Sequence, residues 1–269
     1  MSSKPQRLWF SSSVPFSSAQ KRRKGPPPSS PWKTARSAQP PPKPQELEPI
    51  THSTTARYHL DPALVRIRIN LLGIYVFIAV NAAVFLVWTF WARGSPPNYQ
   101  WMLDNFTMSA RNLDAGRWWT LLTAQISHEQ PIHAIVMGYV MHNLAQAIAM
   151  PAIQPVKHLA TLMLTTAATS AAGYIVWDRA RSDRKQSGGL GASGIMCGMA
   201  MALMCISPMS QWMFFFFVPA KGWQMAVGLV AFDMAGLCFE SPIAHAAHLG
   251  GSAGGLLWWL VMRRTLRLP

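Results

Sequence analysis

A serine and a histidine stand at the starts of two apolar stretches of this chain. Ser193 lies in Gly-Ala-Ser-Gly at 191–194, and His248 closes His-Ala-Ala-His at 245–248. A hydroxyl beside an imidazole is the pair that nucleophilic catalysis uses, with the imidazole as general base. Polar side chains are costly in membrane-spanning segments, so their presence there indicates function. The pair predicts a nucleophile and its base inside a lipid bilayer.

Glycines surround both residues. Gly188, Gly189 and Gly191 precede Ser193 and permit a tight loop that enters a helix. Ser193 would then lie at a helix N-terminus, where unsatisfied backbone N–H groups can stabilise an oxyanion. The glycines after His248 let another helix approach closely, and the helix that starts at Ser193 is the natural partner. Taken alone, these glycines are weak evidence for catalysis, because they could serve only helix packing.

His245 and His248 have a spacing at which histidines bind metals. The sequence offers no evident third ligand, so we expect no metal and no cofactor. Asp233 lies in another apolar run, where an acid is a candidate functional residue. Asp233 could complete a Ser–His–Asp triad, or it could hold helices together through hydrogen bonds.

Composition places these residues in a membrane protein. Half of the 269 residues are hydrophobic and 13% are charged, whereas about a quarter are charged in a soluble domain. Several apolar runs approach the about 20 helical residues that cross a bilayer. We predict an all-α membrane protein with six transmembrane helices and a long structured loop between the first two. The runs are 71–92, 132–150, 158–177, 192–207, 222–238 and 244–262.

Residues 1–69 form a basic leader rich in proline and serine, which we expect to be disordered because it cannot bury a core. No acidic residue precedes Glu46. An acid-poor leader with Arg and Ser is typical of a mitochondrial transit peptide, and a plain cytosolic tail is the alternative. The net charge of +14 therefore indicates targeting or topology, and we expect no nucleic-acid partner.

Three motifs, in order along the chain, together resemble the rhomboid intramembrane serine proteases. Gly-Arg-Trp-Trp-Thr-Leu-Leu-Thr at 116–123, followed by Ser-His at 127–128, is similar to the family's first-loop signature. Leu-Gly-Ala-Ser-Gly at 190–194 is similar to its nucleophile motif. His-Ala-Ala-His-Leu-Gly-Gly at 245–251 and Phe-Asp-Met-Ala-Gly at 232–236 resemble the mitochondrial, presenilin-associated rhomboid-like branch. A rhomboid protease domain would cover residues 70–265.

The resemblance implies a Ser–His dyad that cleaves transmembrane segments. Ser193 would be the nucleophile, and His248 would be the general base and then the general acid. The Ser193 N–H and His133 would hold the oxyanion, with Gly191, His128 and His245 in support. Substrates would be single-pass transmembrane proteins within the lipid bilayer. The resemblance favours the mitochondrial inner membrane as the location, with a secretory-pathway membrane as the alternative.

Met137 departs from the family pattern. It stands four residues after His133, where the family usually has an asparagine, and a thioether cannot donate a hydrogen bond. The alternative function is therefore a weakly active or non-proteolytic rhomboid-like protein that binds membrane helices. Because the family works with two catalytic residues, we favour a structural role for Asp233.

Overall fold

The computed structural model describes residues 61–148, 156–181, 188–214, 218–239 and 241–265. Helix α1 spans Pro62–Leu86 and continues as a π-helical stretch over Val87–Ala92. It begins where the carboxylate of Asp61 accepts a hydrogen bond from the Ala63 N–H at 2.8 Å, which is ordinary N-capping. Residues 1–60 of the predicted leader lie outside the residues that the structure describes.

Short helices follow α1, and longer helices make up most of the rest. The short ones are α2 (Pro96–Phe106), α3 (Ala110–Asp114), α4 (Thr120–Thr123) and a 3-10 turn (Ala124–Ile126). The longer ones are α5 (Pro131–Ile148), α6 (Val156–Ala180), α7 (Ser193–Ile206), α8 (Gly222–Gly236) and α9 (His245–Thr265). An antiparallel hairpin, which the sequence analysis did not predict, joins α7 to α8 through β1 (Gln211–Phe214) and β2 (Val218–Lys221).

In the described part of the chain, two stretches of helix have the length and apolar composition that crossing a membrane requires. They are Pro62–Ala92 and Lys157–Ala180, and Ser193–Ile206 is a shorter apolar helix. Large apolar side chains such as Leu72 and Leu164 are mostly exposed on the first two. Helix α7, by contrast, is buried along most of its length. The described part of the chain is therefore mainly helical, with α7 buried among the other helices.

Helix α9 packs closely against α7 through glycines. A Cβ atom at Gly251 would overlap the carbonyl oxygen of Gly194, and one at Gly255 would overlap that of Gly198. Two helices come this close only where neither has a side chain at the contact. The contact brings the N-terminal ends of α7 and α9 together.

Candidate active site

Ser193 is the first residue of α7, and His248 lies in the first turn of α9. The Nε2 atom of His248 is 2.8 Å from the Oγ atom of Ser193, which is a hydrogen-bond distance. Ser193 is buried, and 13% of the His248 side chain is exposed. A neutral imidazole whose Nε2 is unprotonated can accept the proton of a serine hydroxyl, which is the first requirement for nucleophilic attack.

Asp233, on α8, contacts both histidines of α9. Its Oδ1 atom lies 3.0 Å from Nδ1 of His248 and 2.7 Å from Nδ1 of His245. The residue is fully buried. An ionised carboxylate only accepts hydrogen bonds. When Asp233 is ionised, each Nδ1 therefore carries a proton, and Nε2 of a neutral His248 remains the acceptor for Ser193.

The hydrogen-bonded chain continues beyond Asp233 to the connection between α8 and α9. Nε2 of His245 is 3.1 Å from Oγ of Ser241. Room for the His245 ring comes from Gly236, where a Cβ atom would overlap that ring. Asp233 thus ties α8 to α9, as expected for the structural role that the sequence analysis favoured, and it also contacts the histidine that faces Ser193.

The segment between α1 and α5 holds the loop that leads into Ser193. Gly189 and Met108 exchange two backbone hydrogen bonds of 2.8 Å, and the Gly191 N–H donates to the carbonyl of Ala124 at 2.8 Å. Gly191 has a φ of 124°, a conformation that glycine adopts without steric cost. A Cβ atom at Gly191 would also lie 2.8 Å from the ring of His133. Only glycine fits this position, one residue before Ala192.

His128 is buried against the same loop. Its Nε2 atom accepts a hydrogen bond from the Ala192 N–H at 3.3 Å. Its ring packs edge-on against His133, with the ring centroids 4.8 Å apart. Burial, and secondly the neighbouring His133, lower the pKa of His128 from its usual 6.5 to about 4. His128 is therefore neutral near pH 7 and can serve as this acceptor.

His133 lies in the first turn of α5 with its ring beside Gly191. Met137 lies one helical turn further on and packs against the main hydrophobic core. The structure thus brings His133 to the loop that precedes Ser193, while the residue that differs from the family pattern contributes an apolar side chain. Of these two residues, only His133 carries a hydrogen-bond donor.

Trp88 and Ser127 form a buried contact that the sequence analysis did not single out. Nε1 of Trp88, in the π-helical stretch, donates a hydrogen bond to Oγ of Ser127 at 2.7 Å. This bond fixes the residue that directly precedes His128. The Ser-His pair at 127–128 was visible as a motif, but a tryptophan within an apolar run carries no signal for a particular hydrogen bond.

Within the described regions, Cys197, Asp233 and His248 form a group of residues of the types that bind metals. One donor atom from each falls within 4.8 Å of the others. Bonds from Zn²⁺ to such ligands are about 2.0–2.3 Å long, so the three groups would have to move inward around an ion. Asp233 and His248 already bond to each other, and we assign no metal to this cluster.

A family model described as the Rhomboid domain matches residues 115–265 of this chain. The matched region is more than half of the 269 residues, and it contains Ser193, Asp233 and His248. The chain belongs to the rhomboid family. In this rhomboid, Ser193 and the two histidines of α9, His245 and His248, all lie within the matched Rhomboid domain.

This rhomboid is also similar to a plant protein, RHOMBOID-like protein 12, mitochondrial, of Arabidopsis thaliana. The two are 27% identical over 201 residues, which cover 70% of this chain and 57% of the plant protein. The chain thus spans just over half the length of that relative. The family match and the plant relative confirm the predicted membership of the mitochondrial branch of rhomboids. They also support the predicted location in a membrane of mitochondria.

Proposed function

We propose that this rhomboid is an intramembrane serine endopeptidase that cleaves transmembrane segments of membrane proteins. The observation that carries the proposal is the 2.8 Å contact between Oγ of Ser193 and Nε2 of His248. Ser193 attacks the scissile carbonyl while His248 takes the hydroxyl proton, and His248 then gives that proton to the leaving amine. Water activated by His248 hydrolyses the acyl-enzyme and regenerates Ser193.

Asp233 orients the general base in this mechanism. Its Oδ1 accepts the hydrogen bond from Nδ1–H of His248, which keeps the ring in the tautomer whose Nε2 faces Ser193. The negative charge also stabilises the imidazolium that forms when His248 takes the proton. Asp233 is a positioning residue here, because it acts through His248 and does not touch the substrate.

The N-terminus of α7 supplies the oxyanion site. The first N–H groups of a helix have no partner within the helix, but that of Ala192 already bonds to His128. The proposed donors are therefore the Ser193 N–H and the ring of His133. Loss of one oxyanion donor costs about 10²–10³ in rate in other hydrolases. Since Met137 cannot donate, we expect this rhomboid to be a slow enzyme.

Six membrane crossings, by α1 and α5 to α9, fit the proposal, with residues 93–130 as a structured loop at one membrane surface. Trp101, Trp118 and Trp119 are exposed in that segment, and tryptophan rings suit the membrane interface. Substrates would be single-pass proteins, and the membrane would be the mitochondrial inner membrane.

Water must reach Ser193 for hydrolysis. A cavity of about 400 Å³ lies beside the α8–α9 connection and is lined by Asp178, Arg181, Ser241 and His245 among others. Because His245 bonds to Asp233, this polar cavity touches the hydrogen-bonded chain that ends at Ser193. We propose it as the route by which water enters.

Cleavage of a tagged single-pass substrate in proteoliposomes tests this function. We expect wild type to give products that Ser193→Ala and His248→Ala do not give. Equal cleavage by wild type and Ser193→Ala would reject a serine protease.

A second candidate function is a rhomboid-like protein that binds membrane helices without cleaving them. The observation that favours it is Met137, which removes a donor from the oxyanion site. Under this hypothesis, wild type and Ser193→Ala would hold the same substrate equally, and no product would form from either.

A further inference from the structure

The end of the helical bundle opposite Ser193 is strongly basic. Lysine and arginine side chains lie near the first residues of α1, α6 and α8 and the last residues of α9: Arg66, Arg68, Lys157, Lys221, Arg263 and Arg264. Among the residues that the structure describes, Asp61 is the only acid at this end, since the others lie within 93–130, near the end of α6 or at Asp233. A basic surface beside a membrane attracts the anionic headgroups of phospholipids.

A cavity of about 370 Å³ lies at this end of the bundle, between α5 and strand β1. Its apolar wall consists of Val140, Leu144 and Ala147 of α5 and Met213 of β1. An apolar cavity of about 150 Å³ is known to hold benzene, so this space has room for part of an acyl chain. We call it the α5–β1 cavity.

Polar groups border the same cavity. Asn143 and Gln211 are exposed residues that line it. One N–H of the Asn143 amide donates to the carbonyl of Tyr139 at 2.8 Å, which leaves its second N–H as a donor. Gln211 stands directly opposite the exposed Lys221 in the hairpin register, and opposite residues of an antiparallel pair have Cβ atoms about 4.5–5.5 Å apart. An ammonium group and two amides therefore lie together beside an apolar wall.

Tryptophans place these polar groups at the surface of the bilayer. Trp212 lines the α5–β1 cavity and is partly exposed, and Trp223, two residues after Lys221, is also exposed. Indole rings favour the interface between headgroups and hydrocarbon. Helix α5 runs from the Ser193 end toward this surface, so Val140 lies about 10 Å deeper than Ala147 at 1.5 Å per residue. The cavity thus extends from headgroup depth into the hydrocarbon.

We propose that the α5–β1 cavity binds one anionic phospholipid. Its phosphate lies beside Lys221, Gln211 and Asn143, and part of one acyl chain packs against the apolar wall. Charge complementarity favours this occupant, because an amphipathic anion satisfies both the ammonium group and the apolar wall. A transmembrane helix of another protein is the competing occupant, and its apolar side chains would leave Lys221 without an anionic partner. The site does not use Ser193 or His248, so it stands or falls independently of the proposed function.

Photocrosslinking locates the lipid. The purified full-length protein in phosphatidylcholine bilayers is irradiated with a phosphatidylglycerol that carries a diazirine on its acyl chain, and the adducts are mapped by mass spectrometry. We expect adducts concentrated in residues 139–147 and 211–213, which unlabelled phosphatidylglycerol suppresses and added phosphatidylcholine does not. Ser193→Ala protein should give the same adducts, because binding needs no catalysis. Adducts spread evenly over the exposed helices, or equal suppression by the two lipids, would overturn the site.

Lys221→Glu tests the charge at the α5–β1 cavity. The yield of cavity adducts should fall about tenfold or more, because an attraction to the phosphate becomes a repulsion. Lys157→Glu is the matched control, since it makes the same change in net charge at the same end and Lys157 does not line the cavity. This control should keep the wild-type yield within about twofold. An equal fall in both variants would indicate diffuse attraction to a basic surface and overturn a defined site.

Ala147→Leu tests the apolar wall while leaving Lys221 in place. The larger side chain occupies the space of the acyl chain, so the adduct yield should fall about tenfold. A ligand that binds the folded state raises Tm, and this variant should also lose the rise in Tm that phosphatidylglycerol gives wild type. Ala83→Leu, at an exposed position of α1 outside the cavity, is the matched control and should behave as wild type.

Two results from this last comparison would reject the lipid. The first is an Ala147→Leu protein that binds phosphatidylglycerol as well as the Ala83→Leu protein does. The second is a model single-pass segment that suppresses the cavity adducts at a concentration where unlabelled phosphatidylglycerol does not, which would make the cavity a docking surface for a helix.

Discussion

Oδ1 of Asp233 lies within hydrogen-bond distance of two histidines at once, 2.7 Å from Nδ1 of His245 and 3.0 Å from Nδ1 of His248. At the scale of single residues, this shared oxygen links the proposed general base to the α8–α9 connection. Ser193 and His248 could be paired from their motifs alone, and the structure places them 2.8 Å apart. The bond from Asp233 to both histidines could not be predicted, because it depends on how α8 packs beside α9.

Asp233→Asn should lower kcat by about 10³ or more with little change in KM, as loss of the orienting carboxylate does in other serine proteases. An amide NH₂ group turned toward Nδ1 of His248 favours the tautomer whose Nε2 carries the proton and cannot accept from Ser193. Steady-state cleavage of a transmembrane substrate measures the effect.

His245→Gln is the control for this prediction. It removes the other partner of Asp233 and leaves the bond to His248 available. If both variants lose the same activity and the same thermal stability, Asp233 acts only as a link between helices.

The buried His128 gives a prediction for pH. Its folded-state pKa of about 4 lies below the usual 6.5, so between these values the unfolded chain binds a proton that the folded chain does not. The contribution of His128 to stability is therefore fully present above about pH 6.5 and falls as the pH drops toward 4. Thermal unfolding in detergent should show a shallower pH dependence over this window for His128→Gln than for wild type. Identical slopes would contradict the prediction.

At the scale of helices, the close approach of α7 and α9 positions the site. The glycines of 249–255 and the Gly-Ala-Ser-Gly string predicted this contact, because both patterns lack side chains that would keep helices apart. The hairpin of β1 and β2 and the π-helical stretch at the end of α1 could not be predicted. Their sequences are short and mostly apolar, and a short apolar run does not distinguish a helix from a strand.

Gly251→Ala should destabilise the protein by about 1–3 kcal/mol, the usual cost of overpacking a tight interface. The added methyl overlaps the carbonyl oxygen of Gly194, so α9 must move away and carry His248 from Ser193. Thermal unfolding and substrate cleavage should both decline. Gly228→Ala, where the methyl meets nothing, should be neutral or slightly stabilising. Equal behaviour of the two variants would show that the α7–α9 contact does not position the site.

At the scale of the whole molecule, a basic leader precedes an apolar helical body. The Rhomboid domain match and the mitochondrial relative support a mitochondrial membrane protein. Mitochondrial targeting could be predicted from the composition of the leader. A stretch that is poor in acids and contains arginine and serine can be recognised without knowing its fold. The substrate class and the direction of insertion depend on surfaces and charges that composition does not resolve.

Residues 1–69 fused to a fluorescent protein should direct it to mitochondria. Replacing Arg22 and Arg23 with glutamate should weaken that targeting, because transit peptides act through positive charge with few acids. Fluorescence microscopy with a mitochondrial marker measures the result. A wild-type leader that leaves the fluorescent protein in the cytosol would show that these residues are a plain tail.

The reactivity of Ser193 toward a fluorophosphonate probe in lipid tests the central claim most directly. The account predicts a covalent adduct on Ser193 of wild type, identified by mass spectrometry. It predicts no adduct in Ser193→Ala, and labelling at least about 10³-fold slower in His248→Ala, because the general base is missing. No adduct on wild type, or His248→Ala labelled as fast as wild type, would contradict a serine activated by His248.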